Sequence, residues 1–60
     1  MPNFLFEIMS GDYEGEEFFV EAENKVEAFT TARNVAEGEK IRCLGIYSAE
    51  EAEWMGYDTY

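Results

Sequence analysis

Apolar residues recur at every second position in three separate stretches of this chain, and that alternation limits the fold more than any other feature. From Asn3 to Met9, Phe4, Phe6 and Ile8 fall on one face and Leu5, Glu7 and Met9 on the other. From Glu16 to Ala22, Phe18, Val20 and Ala22 alternate with Glu17, Phe19 and Glu21. Period-two patterning of this kind belongs to strands with a buried face. The segment between them, Ser10-Gly11-Asp12-Tyr13-Glu14-Gly15, carries two glycines able to take positive φ, so the two runs are expected to form a hairpin. A third run, Lys40–Tyr47, puts Ile41, Cys43 and Tyr47 on one face and Leu44 and Ile46 on the other. Gly45 inside it marks a weak point or a close approach of another group.

The remaining segments change period. Asn24, with Glu27 three residues on, opens a helix, and Val26, Phe29, Ala32, Arg33 and Ala36 follow helical spacing. The helix is expected at about residues 25–36, with Gly38 as its C′ stop. Ser48-Ala49-Glu50-Glu51 is a capping box that starts a short helix through Trp54-Met55, closed by Gly56. Tyr57-Asp58-Thr59-Tyr60 is expected to be a tail. The order is ββαβα. A right-handed crossover through the helix places the third strand beside the first. The predicted fold is therefore α+β: a two-layer sandwich with a three-stranded antiparallel sheet in order 2-1-3, one main helix and a short C-terminal helix, all one small acidic domain spanning residues 1–60. Its core is expected to hold Phe4, Phe6, Ile8, Phe18, Val20, Phe29, Ala32, Ile41 and Cys43. The second sheet face, with Leu5, Met9, Phe19, Leu44 and Ile46, is too apolar to face only water, and needs the C-terminal helix or a partner to cover it.

Charge decides the function classes. The 60 residues carry 14 acids against four bases and no histidine, a formal charge of −10, yet 47% are apolar and 17% aromatic. Enough apolar surface is present to offset ordering entropy, so the chain is expected to fold under a negative skin rather than stay disordered. Direct binding to nucleic acid or to an anionic membrane surface is opposed by repulsion. The single Cys43 and the lack of a secretory-type segment point to a reducing, cytoplasmic setting.

No residue set reads as chemistry. The commonest general base and metal ligand, histidine, is missing. No nucleophile has a matching base, so no enzymatic activity, cofactor or metal is expected. The acids from Asp12 to Glu17 crowd one loop, but without the twelve-residue spacing of a calcium loop. Cys43 alternates with core positions and reads as a buried, inert thiol.

What remains is a binding surface for a basic protein, one that ordinarily holds nucleic acid. A domain of this length is about 27 Å across, and duplex DNA of that length carries on the order of 16 charges. The hairpin offers Glu14, Glu16, Glu17, Glu21 and Glu23 with Tyr13 as aromatic anchor, and these are the first-choice partner-binding residues. Glu50, Glu53 and Trp54 are the second choice. Aromatics ringed by acids have the composition of an interface hot spot facing a basic partner.

In size, charge and missing chemistry the chain resembles the small acidic inhibitors of phages and mobile elements, the DNA-mimic and anti-CRISPR-type proteins. Its strand-to-helix segment, Val20-Glu21-Ala22-Glu23-Asn24-Lys25-Val26-Glu27-Ala28, resembles a pattern common in small phage reading frames. The resemblance implies an inhibitor or modulator that occupies the nucleic-acid groove of a partner. The alternative, from a different class, is a structural or assembly module that self-associates, as a homodimer for example, through a strand edge or the apolar sheet face.

Overall fold

A computed structural model describes all 60 residues, Met1–Tyr60. The elements are β1 (Asn3–Ile8), β2 (Glu17–Glu21), α1 (Lys25–Val35), β3 (Ile41–Tyr47) and α2 (Ala49–Met55). The sheet order is β2-β1-β3 and both pairings are antiparallel, as the three alternating runs predict.

The central strand is buried on both faces. Phe4, Phe6 and Ile8 of β1 join Phe18, Val20, Ala22, Ala28, Ala32 and Ala36 in one cluster under α1. Phe29, Val35, Ile41 and Cys43 pack at its margin. Phe6 is fully buried; its ring lies 5.9 Å from Phe18 in a stacked pair and 4.9 Å from Phe29 edge-on. The helix contributes a stripe of alanines, spaced four apart, whose small side chains leave room for the phenylalanines of the sheet. Val26 lies outside that stripe and is 77% exposed, so the buried register runs from Ala28 and not from Val26.

The opposite face is smaller. Leu5 and Phe19 are buried there under Ala52 of α2, with Tyr47 packed alongside. Tyr47 and Tyr57 lie over Phe19 at 5.8 and 6.1 Å between ring centres. Tyr47 reaches this face because β3 contains a bulge. Leu5 pairs with Gly45 but Phe6 pairs with Cys43, which leaves Leu44 as the extra residue. One inserted residue reverses the alternation beyond it. Tyr47 therefore leaves the face of Ile41 and Cys43, and Ile46 pairs with Phe4 instead. A Cβ on Gly45 would come within 3.3 Å of the Tyr47 ring, so the glycine marks a close approach.

The end of α1 and the end of the chain differ from the sequence reading. The stop of α1 comes one residue earlier than Gly38. The Gly38 N–H bonds to the Arg33 carbonyl and the Glu37 N–H to the Asn34 carbonyl, a Schellman arrangement with Glu37 at C′. The last residues are also more than a tail. The Phe19 N–H donates to the Asp58 carbonyl and the Tyr60 N–H to the Phe19 carbonyl, both at 2.8 Å, so Thr59 pairs in parallel with Phe19. The Glu21 N–H donates to the Tyr60 carbonyl, and the Tyr60 ring meets Phe18 edge-on. This segment closes the outer edge of β2. Removal of Asp58–Tyr60 is expected to cost about 1–3 kcal/mol, the worth of these bonds. It should also end hydrogen-exchange protection of the Phe19 and Glu21 amides. Unchanged protection of both amides in the shortened chain would contradict the pairing.

Candidate partner-binding site

The hairpin turn, the loop after α1 and the C-terminal segment meet at one end of the molecule. The turn is shaped by Gly15. The Gly15 N–H bonds to the Ile8 carbonyl and the Ile8 N–H to the Glu16 carbonyl, so two residues face one, with Gly15 at φ 92°. Gly11, at φ 84°, lies against the Glu39 carboxylate, where any β-carbon would collide with it. The Ser10 hydroxyl donates to Glu39 Oε1 at 3.2 Å and accepts from the Lys40 N–H at 3.0 Å. These contacts tie the turn to the α1–β3 loop.

The junction forms two adjoining grooves that share Ile8, Tyr13, Val35 and Glu37. Asp12 and Glu39 line one; Glu16, Glu17, Asp58 and Tyr60 line the other. Tyr13 is 65% exposed at their meeting point. Six acidic residues from three chain segments thus line the two grooves that share exposed Tyr13, and neither groove has a lysine or arginine in its lining. Two of the four bases are engaged elsewhere. Arg42 Nη2 pairs with Glu7 Oε1 at 2.7 Å, and Arg33 lies 5.6 Å from the centre of the Phe29 ring.

Two of these carboxylates are held against local preference. Glu17 stands directly opposite Glu7 across the β1–β2 pair, and like charges in that position are unfavourable. Glu37 has φ 54°, the left-handed region, where C′ is usually glycine. It also sits at the negative end of the α1 dipole.

The first-choice residues therefore divide. Tyr13, Glu16 and Glu17 come together, with Glu14 exposed on the same turn. Glu21 lies about 13 Å further along β2. It joins Glu23, Val26, Glu27 and Met1 around a separate groove at the other end of the strand. Sequence reasoning missed Glu37, Glu39 and Asp58, because their approach depends on the tertiary docking of two distant segments. The non-glycine C′ at Glu37 is a signal only once the helix end is known.

The second-choice set is also a surface. Trp54 is 88% exposed and has Glu50 and Glu53 beside it. It does not cap the core, whereas Tyr57 and Tyr60 pack on Phe19 and Phe18. Cys43 is half-buried, its thiol 3.7 Å from the Gly45 carbonyl oxygen. No three His, Cys, Asp or Glu side chains are arranged to hold a metal ion, and no helix is long and apolar enough to cross a membrane.

No protein-family model matches this chain, and comparisons with curated proteins and with solved structures return no match.

Glu37→Gly is expected to raise the unfolding free energy by about 0.5–1 kcal/mol, the left-handed penalty less the added chain entropy. Glu17→Lys, which turns a repulsive cross-strand pair into an attractive one, should add about 0.2–1 kcal/mol. Urea midpoints that rise with unchanged slope would bear this out; a fall in either variant would contradict it.

Proposed function

We propose that this chain is a binding protein, not a catalyst, and that it acts as an inhibitor or modulator by occupying a basic, nucleic-acid-binding surface of a partner protein. The reading places it functionally with phage-type DNA-mimic and anti-CRISPR-type inhibitors, in a cytoplasmic setting. The observation that carries it is the six acidic residues that line the two grooves sharing exposed Tyr13, with no base among the lining residues. A surface acidic only for solubility has no need to gather charges from three segments. It has still less need to keep Glu17 opposite Glu7 and Glu37 in a left-handed conformation.

The dimensions support the same reading. The molecule measures 30 × 22 × 15 Å and carries −10. Duplex DNA of the longer dimension carries on the order of 18 charges, about half of them toward any one partner. A groove built to receive phosphates would meet a comparable charge on a rigid body. Long-range attraction raises the association rate, and an aromatic anchor slows dissociation.

The test is affinity capture from a lysate of the source cells, with wild type and the Glu16→Lys/Glu17→Lys/Glu37→Lys variant as baits. Wild type should retain a basic nucleic-acid-binding protein that elutes as salt rises from about 50 to about 500 mM and that duplex DNA displaces. The variant should lose it at every salt concentration. Equal retention by the folded variant, or a captured protein that DNA does not displace, would overturn the proposal.

A further inference from the structure

The sheet has one closed edge and one open edge. The C-terminal segment covers β2, while β3 pairs only with β1 and presents its other side unpaired. Along that edge Leu44 and Ile46 are exposed, Ile46 at 62%. At its Ser48 end a groove opens between β3 and α2, lined by Tyr47, Glu50, Glu51, Trp54 and Met55. At the other end are Lys40 and Arg42, half of the bases in the chain.

We infer that the β3 edge takes an extended basic segment of a partner protein as an added strand. Backbone N–H and C=O groups on an open edge bond to any extended chain, and the side chains on either side set the preference. Here the middle of the edge is apolar. Carboxylates and an indole face stand at the Ser48 end, where an arginine or lysine would find both an ion pair and a cation–π contact. Lys40 repels a cation at the opposite end, where Arg42 is already paired with Glu7 and leaves no free carboxylate, so the segment's basic residues lie toward Ser48. In the antiparallel orientation these are its N-terminal residues. A second copy of the chain is the competing occupant. It would bring another body of charge −10 against this one, and electrostatics favours the basic segment.

The inference rests on the proposed role as a binder of basic proteins, but uses a different surface. Trp54 is the only tryptophan in the chain, so its emission reports on this surface alone. The probe is a synthetic peptide of alternating valine and threonine with arginines at its N-terminus. The controls are a glutamate-tipped version and one with prolines replacing alternate threonines. The arginine-tipped peptide should shift Trp54 emission to the blue and move the amide resonances of Ile41–Tyr47. Affinity should fall at least about tenfold for the proline peptide, which lacks ladder donors, and for the Glu50→Lys/Glu53→Lys variant. Glu16→Lys/Glu17→Lys/Glu37→Lys should bind the peptide within about threefold of wild type, allowing for the weaker long-range field.

Equal binding of the proline peptide, or β3 amides that do not respond to the arginine-tipped one, would overturn strand addition. A dimer in sedimentation with β3 amides already protected would assign the edge to a second copy instead. If peptide binding fails while lysate capture still depends on Glu16, Glu17 and Glu37, only this inference falls. If capture fails and the peptide binds at β3, the acidic-groove reading falls.

Discussion

Phe6 occupies the point where the molecule is joined. It is stacked on Phe18 of the neighbouring strand and meets Phe29 of α1 edge-on, with no exposed surface. In a chain of 60 residues the buried area is small, and a few aromatic contacts must contribute much of the stability. This contact holds the hairpin and fixes where α1 lies across it. The alanines at 28, 32 and 36 keep the helix close to the sheet. Once α1 is docked there, its C-terminal end arrives beside the hairpin turn. The convergence of Asp12, Glu16 and Glu17 with Glu37 and Glu39 then follows from packing, and of these carboxylates only Glu39, which accepts from the Ser10 hydroxyl, helps to hold it.

The charge and the fold therefore work against each other locally. The hydrophobic contacts set the geometry, and the geometry brings like charges together. Arg42 relieves Glu7 by an ion pair in which both side chains are partly solvated, an interaction of modest worth. No comparable partner lines the Tyr13 grooves. A basic protein surface would supply the missing counter-charge, which ties the proposed function to the energetics of the free molecule. The open β3 edge and Trp54 form a second, separate surface, joined to the first through the same central strand.

The architecture was legible because it depends on local pattern. Three period-two runs, the Asn24 and Ser48 caps and Gly56 are each read within a few residues, and together they leave little choice of topology. The Asn24 side chain accepts from the Glu27 N–H, and Ser48 and Glu51 bond reciprocally, as their spacing implies. What was not legible depends on longer range. The bulge at Leu44 is a matter of registration between β1 and β3, and it moves Tyr47 to the other face. The parallel pairing of Thr59 with Phe19 needs the folded edge of β2 before it exists. The acidic site was legible in part. Tyr13, Glu16 and Glu17 are neighbours in sequence, whereas Glu37, Glu39 and Asp58 are brought to them by tertiary structure. Glu21 and Glu23 share a sequence cluster with Glu17 but not a surface, because an extended strand carries them away.

The central claim is that the carboxylates around Tyr13 are kept for binding at a cost to the free fold. It is tested most directly by neutralising all fourteen acids singly, Glu→Gln and Asp→Asn, and measuring thermal stability and partner capture for each variant. The account predicts that the variants that gain most stability are those at Glu17 and Glu37, and that capture weakens most at Glu16, Glu17, Glu37 and their groove neighbours. Stability gains and capture losses scattered evenly over the fourteen positions would contradict it.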